Sequence, residues 1–370
     1  MTPKAGGSCS TRECRIASEL SDVARARELV LAHGWNATAY QIVNPGMAHW
    51  FAPAGDAVVG YTDWSGVRVV AGAPVCAVDR LAAVAEEFEQ ASHRSGMAVC
   101  YFGAEARLEA IYRGAENHAR VLLGAQPVWE PAHWPAIVAS SASIRAQLNR
   151  ARNKDVSVAE WTAARAEASP ELRAILGEWL STRGLPPLHF LVEPDTLSSL
   201  RDRRVFVASR GERPVAFLVA SPVPERRGWL VEQFVRGRDA VNGTTQLMVD
   251  AAMRAVAEGG AHYATLGLAP LSRRAGFEEH NPLWLRGLLG WVRAHGRRFY
   301  NFDGLDAFKA RLQPERWDPI FAIADAARFS PRFLYAIAGA FSGGPPFVTV
   351  ARGLVRAAST ELRWLAQGRR

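Results

Sequence analysis

A strand-turn-strand pattern occurs twice in this chain, and it narrows the possible folds more than any other feature. Residues 58–75 read VVGYTDWSGVRVVAGAPV, and residues 205–223 read VFVASRGERPVAFLVASPV. Each copy is an apolar strand, a polar turn and an apolar strand, closed by two small residues and Pro-Val. A lone hairpin is marginal in water, so each copy must join a larger sheet and bury a face. Segments with helical periodicity flank both copies, at 18–33, 78–95, 169–182 and 244–258, each with a glycine at or just beyond its end. The predicted fold is therefore α/β: two tandem lobes with mixed β-sheets flanked by helices. At 370 residues, 49% of them hydrophobic, the chain is long enough for two cores. The expected boundaries are a flexible tail at 1–17, an N-terminal lobe at 18–140, a second lobe at 141–319, and a basic, apolar helical extension at 320–370.

A net charge of +8 favours polyanionic partners such as RNA, an anionic bilayer or a phosphorylated cofactor. Cys9, Cys14, Cys76 and Cys100 form no CxxC pair and no zinc-ligand spacing with histidine, which suggests reduced thiols in a cytoplasmic protein and no metal. The first thirty residues lack the apolar core of a signal peptide. No apolar run approaches the roughly 20 residues that span a bilayer, so any membrane contact is expected to be peripheral.

Three segments carry possible chemistry. The first is VEQFVRGRDAVNGTTQLM, from Val231 to Met248. A strand bears Glu232 and Arg236, and a turn holding Asn242 and Gly243 opens a helix at Thr244. The backbone N–H groups of such a turn can bind a phosphate or carboxylate. Equally, Asn242 or Thr244 can simply cap the helix. The second is a basic helix at 141–155, with Arg145, Arg150, Arg152 and Lys154 beside an Ile144/Leu148 stripe. It suits an RNA backbone, a lipid headgroup or a solvated face. The third joins TLGLAPL (265–271) to YNFDGLDAFKARLQPERW (300–317), where Lys309 could hold a terminal phosphate or carboxylate, or snorkel from a core segment. No Ser-His-Asp order, Walker loop or HExxH is present, and no covalent nucleophile stands out.

Taken in order, these segments resemble the catalytic domain of aminoacyl-phosphatidylglycerol synthases. The resemblance rests on Gly72 to Val75, Ser143 to Lys154, Glu232 with Arg236, Asn242 to Met248, Leu266 to Leu271 and Phe308 to Trp317. It implies two lobes of the acyltransferase-like (GNAT) type, with the site mainly in the second. It also implies transfer of an aminoacyl group from aminoacyl-tRNA to phosphatidylglycerol, at the inner surface of a membrane and without a bound cofactor. Glu232 is then the candidate for recognising a cationic amine or assisting proton transfer. Arg236 and Lys309 are candidates for phosphate or donor binding, and Asn242, Gly243 and Thr244 for backbone donors. The three charges are expected to face one cavity. The family usually carries Asp at the Glu232 position and Gly-Asp-Pro where this chain has Gly72-Ala73-Pro74. Two other readings stand beside this one: an N-acyltransferase using acyl-CoA as donor, and a non-catalytic module binding anionic lipid or RNA. The extension at 320–370 reads either as an interfacial membrane element or as a helical cap. The oligomeric state is left open.

Overall fold

The computed structural model describes residues 11–182, 189–276, 281–295 and 301–344. The first half runs α1 (Thr11–His33), β1 (Ala48–Phe51), β2 (Val58–Trp64), β3 (Val67–Ala71), α2 (Leu81–Arg94), β4 (Ala98–Ala104), α3 (Ala106–Tyr112) and β5 (Ala119–Trp129). Helices α4 (Trp134–Ser140) and α5 (Ala142–Arg152) lead into β6 (Val156–Trp161), α6 (Ala163–Ala168) and α7 (Pro170–Ser181). The second half continues with β7 (Arg204–Arg210), β8 (Arg213–Val223), β9 (Gly228–Arg236), α8 (Thr244–Glu258), β10 (Tyr263–Thr265) and β11 (Ala269–Pro270). It ends with α9 (Leu283–His295), α10 (Phe302–Arg311), β12 (Arg316–Ala324) and α11 (Pro331–Ser342).

The expected mixed α/β fold is present, but its two halves share one sheet, ordered β1-β2-β3-β4-β12-β5-β10-β9-β8-β7-β6, with β11 on β5. β1, β2 and β3 are antiparallel, and β3 pairs parallel with β4 across α2. β7, β8 and β9 are likewise antiparallel, and β9 pairs parallel with β10 across α8. Topology therefore equates β3-α2-β4 with β9-α8-β10. The hairpins matched by sequence, β2-β3 and β7-β8, are one strand out of step. An apolar strand, polar turn and apolar strand fit any antiparallel pair; the crossover helix that follows β3 and β9 sets the equivalence.

The halves also exchange a strand. β5 follows β4 and α3 in the chain but pairs with β10, while β12, at the other end of the chain, pairs with β4. β5 and β12 pair with each other from Arg316↔Val128 to Ala324↔Ala119. The expected boundary between residues 319 and 320 thus falls inside a central strand. Ile320, Ala322, Ile323 and Ala324 are almost inaccessible. α11 then buries Phe333, Ala336, Ile337 and Ala340 against the first half. Residues 320–344 are core, not an extension, because alternation and helical period each supply one face to an existing apolar layer. Residues 345–370 lie outside the described residues. The tail expected at 1–17 is helical from Thr11, where α1 begins.

Apolar clusters cover both faces of each half: around Val69, Ala322 and Phe333 or around Phe88, Tyr101 and Leu108 in the first, and around Trp134, Leu148 and Met248 or Leu172, Val205 and Phe217 in the second. Cys76 and Cys100 are buried and unbridged, and burial pushes the Cys76 thiol up to about 12. Cys9 and the side chain of Cys14 fall outside the described residues. Among the described residues no helix is long and apolar enough to cross a membrane.

Candidate functional site

β9 and β10 stay paired only from Gly228↔Tyr263 to Leu230↔Thr265. β9 then runs on to Arg236, while the chain beyond β10 turns away through Gly267, at φ +69°, and joins β5 as β11. A wedge opens between the diverging strands, and the N-terminus of α8 follows the far end of β9. At the mouth of the wedge β9 holds one extra residue: Val219 faces Gln233 and Ala220 faces Val231, leaving Glu232 as a bulge. The bulge lets Val231 and Phe234, three residues apart, pack into the same core.

Glu232 does not stand free. Its carboxylate accepts from Arg203 Nε and, at 2.8 Å, from Gln41 Nε2. Arg203 also donates to Asn44 Oδ1 at 2.7 Å and to the Ser199 carbonyl at 2.7 Å, with its guanidinium 4.9 Å from the Tyr40 ring centroid. Only 1% of the Arg203 side chain and 9% of the Glu232 side chain are accessible. Gln41 and Asn44 come from the first half, on and just after a 3-10 helix at Ala39–Val43. Side chains three apart eclipse in such a helix, so Thr38, Gln41 and Asn44 lie on one side of it, and Gln41 and Asn44 reach Glu232 and Arg203 across the junction. The amide orientations follow from their partners, since a carboxylate only accepts and a guanidinium only donates. That leaves Gln41 Oε1, Asn44 Nδ2 and Thr38 Oγ1 buried with no hydrogen-bond partner among the described residues.

Lys309, on α10, lies on the other side of the wedge. Its Nζ donates to the carbonyls of Leu266, Gly267 and Leu268 at 2.7, 2.8 and 2.9 Å. Three acceptors match the three N–H bonds of an ammonium, while burial pulls the pKa down to about 7. Lys309 therefore buttresses the turn that creates the wedge. Arg236 is exposed and donates to the Ala240 and Val241 carbonyls, bracing the turn before α8. Glu232, Arg236 and Lys309, expected to face one cavity, each have partners within the chain: Glu232 has Arg203 and Gln41, Arg236 has the Ala240 and Val241 carbonyls, and Lys309 has three carbonyls; for Glu232 and Lys309 this avoids the cost of an unpaired buried charge.

Neither Asn242 nor Thr244 caps α8 through its side chain; Gly243 is the N-cap, at φ +96°. Thr244 is buried, and its hydroxyl donates to the Val241 carbonyl at 2.8 Å. A Cβ on Gly243 would lie 2.2 Å from the Gln147 carbonyl oxygen, so this glycine lets α8 start against α5. On α5, Ile144, Leu148 and Ala151 are buried. Arg145 donates to carbonyls at the end of α4, and Arg152 pairs with Asp250 at 3.1 Å. Arg150 and Lys154 are exposed, Lys154 in the turn after the helix. Sequence reasoning missed Arg203, Gln41 and Asn44, which lie roughly 160 residues or more from their partners across the junction; only the three-residue spacing of Thr38, Gln41 and Asn44 hinted at a shared face.

The sequence matches the family described as "Phosphatidylglycerol lysyltransferase, C-terminal" over residues 27–324. No curated protein sequence matches significantly. Among solved structures, the C-terminal domain of a candidate lysylphosphatidylglycerol synthetase from Agrobacterium fabrum is similar at 22% identity and TM-score 0.72, covering 88% of this chain and 98% of that one. L-PGS from Bacillus licheniformis is similar at 19% identity and TM-score 0.71, covering 86% and 95%. At these identities the likeness is one of fold.

Proposed function

We propose, from the premise that this chain belongs to the phosphatidylglycerol lysyltransferase C-terminal family of acyltransferase-type enzymes, that it moves an aminoacyl group from aminoacyl-tRNA to a hydroxyl of phosphatidylglycerol at a membrane surface. The observation that carries this reading is the wedge between β9 and β11, with bulged Glu232 at its mouth and the α8 N-terminus beyond it. An aminoacyl ester is already activated, so no covalent enzyme intermediate is required. The acceptor hydroxyl attacks the ester carbonyl, the new ester bond forms, and the bond to the tRNA ribose oxygen breaks. The hydroxyl proton ends on that ribose oxygen. The protein's task is to align the two reactants and stabilise the oxyanion. Gln41 Oε1 and Asn44 Nδ2 offer one unpartnered acceptor and one unpartnered donor beside Glu232. Glu232, neutralised by Arg203, orients Gln41 and so acts through it. Exposed Arg150 on α5, the helix against the α8 turn, and exposed Lys154 in the turn after it suit the phosphates of the tRNA acceptor end.

The test incubates the purified full chain with phosphatidylglycerol vesicles and either aminoacyl-tRNA or an acyl-CoA, and identifies the lipid products by mass spectrometry. The expected product is aminoacylated lipid from aminoacyl-tRNA alone. Acylation from acyl-CoA, or no product with any aminoacyl-tRNA, overturns the reading.

A further inference from the structure

α9 is apolar on two sides. Its inner side buries Leu285 and packs Leu289 into the first-half core. Its outer side leaves Leu283 81%, Trp284 41% and Leu288 42% exposed. These three project on one stripe of the helix, and Gly287 between them adds bare backbone facing open space. A helix with a second, uncovered apolar stripe is unusual on a protein that meets only water.

Beside this stripe lies a cavity of about 180 Å³ whose lining is both apolar and basic. Leu123, Leu271 and Leu289 supply its apolar lining, and Arg273, Arg286 and Arg293 its basic lining. Arg293 is tied to Asp303 at 2.8 Å and donates to the Leu271 carbonyl; Arg273 and Arg286 are exposed. Leu271 belongs to the short segment whose carbonyls at 266–268 are held by Lys309. The cavity and the wedge thus share one wall.

We infer that α9 is the surface by which this chain docks on an anionic phospholipid bilayer, with Leu283, Trp284 and Leu288 in the acyl region and the arginine-lined cavity taking a phosphodiester headgroup. Three observations select this occupant: the exposed aliphatic and aromatic stripe, arginines at its border, and continuity with the proposed transfer site. An aliphatic stripe edged by cations matches the layering of a lipid leaflet, where the apolar zone lies just beneath the phosphates. The surface deepens the proposed function, since it presents a lipid acceptor to the wedge.

The test is flotation of the full chain with phosphatidylcholine vesicles, with and without phosphatidylglycerol, in the absence of any aminoacyl donor. The parent should bind the anionic vesicles and release them as salt rises. Trp284→Glu with Leu288→Glu should weaken binding by roughly tenfold or more, since two apolar anchors become anions. Arg286→Glu should weaken binding to anionic vesicles alone. All these positions are exposed, so the variants should keep the parent's melting temperature. Equal flotation of parent and double variant overturns the inference. So does a parent dimer in sedimentation that the double variant abolishes, which would make the stripe a protein interface. Transfer to detergent-dispersed lipid is measured alongside: the double variant should retain it while losing transfer to vesicles. Absence of transfer by the parent in both formats would sink the proposed function and leave the flotation result to judge the surface.

Discussion

At the scale of single residues, the candidate site is built from charges already satisfied. Arg203 and Glu232 share a buried ion pair that spans from β9 to the first half through Asn44 and Gln41. Removing one member strands the other, so Arg203→Ala should destabilise the fold by about 3–5 kcal/mol. Arg203→Met combined with Glu232→Leu should recover part of that loss in urea unfolding, while turnover stays low because Gln41 loses its orientation. A double-variant loss equal to the sum of the singles would refute the coupling. Lys309 gives a pH signature. In the folded chain its pKa is about 7, against about 10.5 when unfolded. Between these values the unfolded chain binds the extra proton, so raising the pH favours the folded state. The stability of the parent relative to Lys309→Met should therefore rise from pH 7 to pH 9. A flat difference would show that the three carbonyls hold the ammonium fully.

At the scale of elements, α5 and α8 are positioned by what lies beneath their basic surface. Asp250, with a 3% accessible side chain, ties Trp134, Arg152 and Arg254 together. All four cations on and after α5 are exposed; Arg145 and Arg152 are also tied to carbonyls at the end of α4 and to Asp250, which makes Arg150 and Lys154 the pair that tests polyanion binding without disturbing the packing. Arg150→Ala with Lys154→Ala should leave the melting temperature unchanged but weaken aminoacyl-tRNA binding and flatten its salt dependence, read by filter binding. Loss of binding by Arg152→Ala alone, at unchanged stability, would reverse this assignment. Gly243 marks the other close contact. Gly243→Ala must adopt φ +96° and meet the Gln147 carbonyl, at a cost on the order of 1–3 kcal/mol or more. Gly260→Ala, at φ +72° in open space, serves as the strain-only comparison in the same thermal melts.

At the scale of the whole molecule, the exchange of β5 and β12 makes the two halves one folding unit. A chain ended at Pro319 keeps only the start of β12 and loses Ile320, Phe321, Ala322, Ile323 and Ala324 from the centre of the sheet. It should lose cooperative unfolding in circular dichroism and aggregate, because β4 and β5 are left with unpaired edges. A soluble, cooperatively folding product would show that the halves close independently. For the same reason residues 320–344 are unavailable as a membrane anchor, whereas α9 carries three exposed large apolar side chains, Leu283, Trp284 and Leu288, on one stripe.

Local chemistry was legible in the sequence: apolar alternation named the strands of both hairpins, and glycines marked where helices stop. The run Thr244–Glu258 was readable to the residue, since the turn before it and Gly259 after it are local signals. Ordered motifs also pointed to the family and singled out Glu232, Asn242 to Thr244 and Lys309 as site candidates. Tertiary structure decided what those residues do. Whether Lys309 meets a ligand or three carbonyls, and whether Glu232 is free or bound to Arg203, depends on chain segments tens to hundreds of residues away. Strand order was likewise beyond local reading, because β12 looks like any short apolar strand until β4 and β5 offer it two edges. Periodicity records which face of an element is apolar; the pairing partner is chosen only when the whole sheet closes.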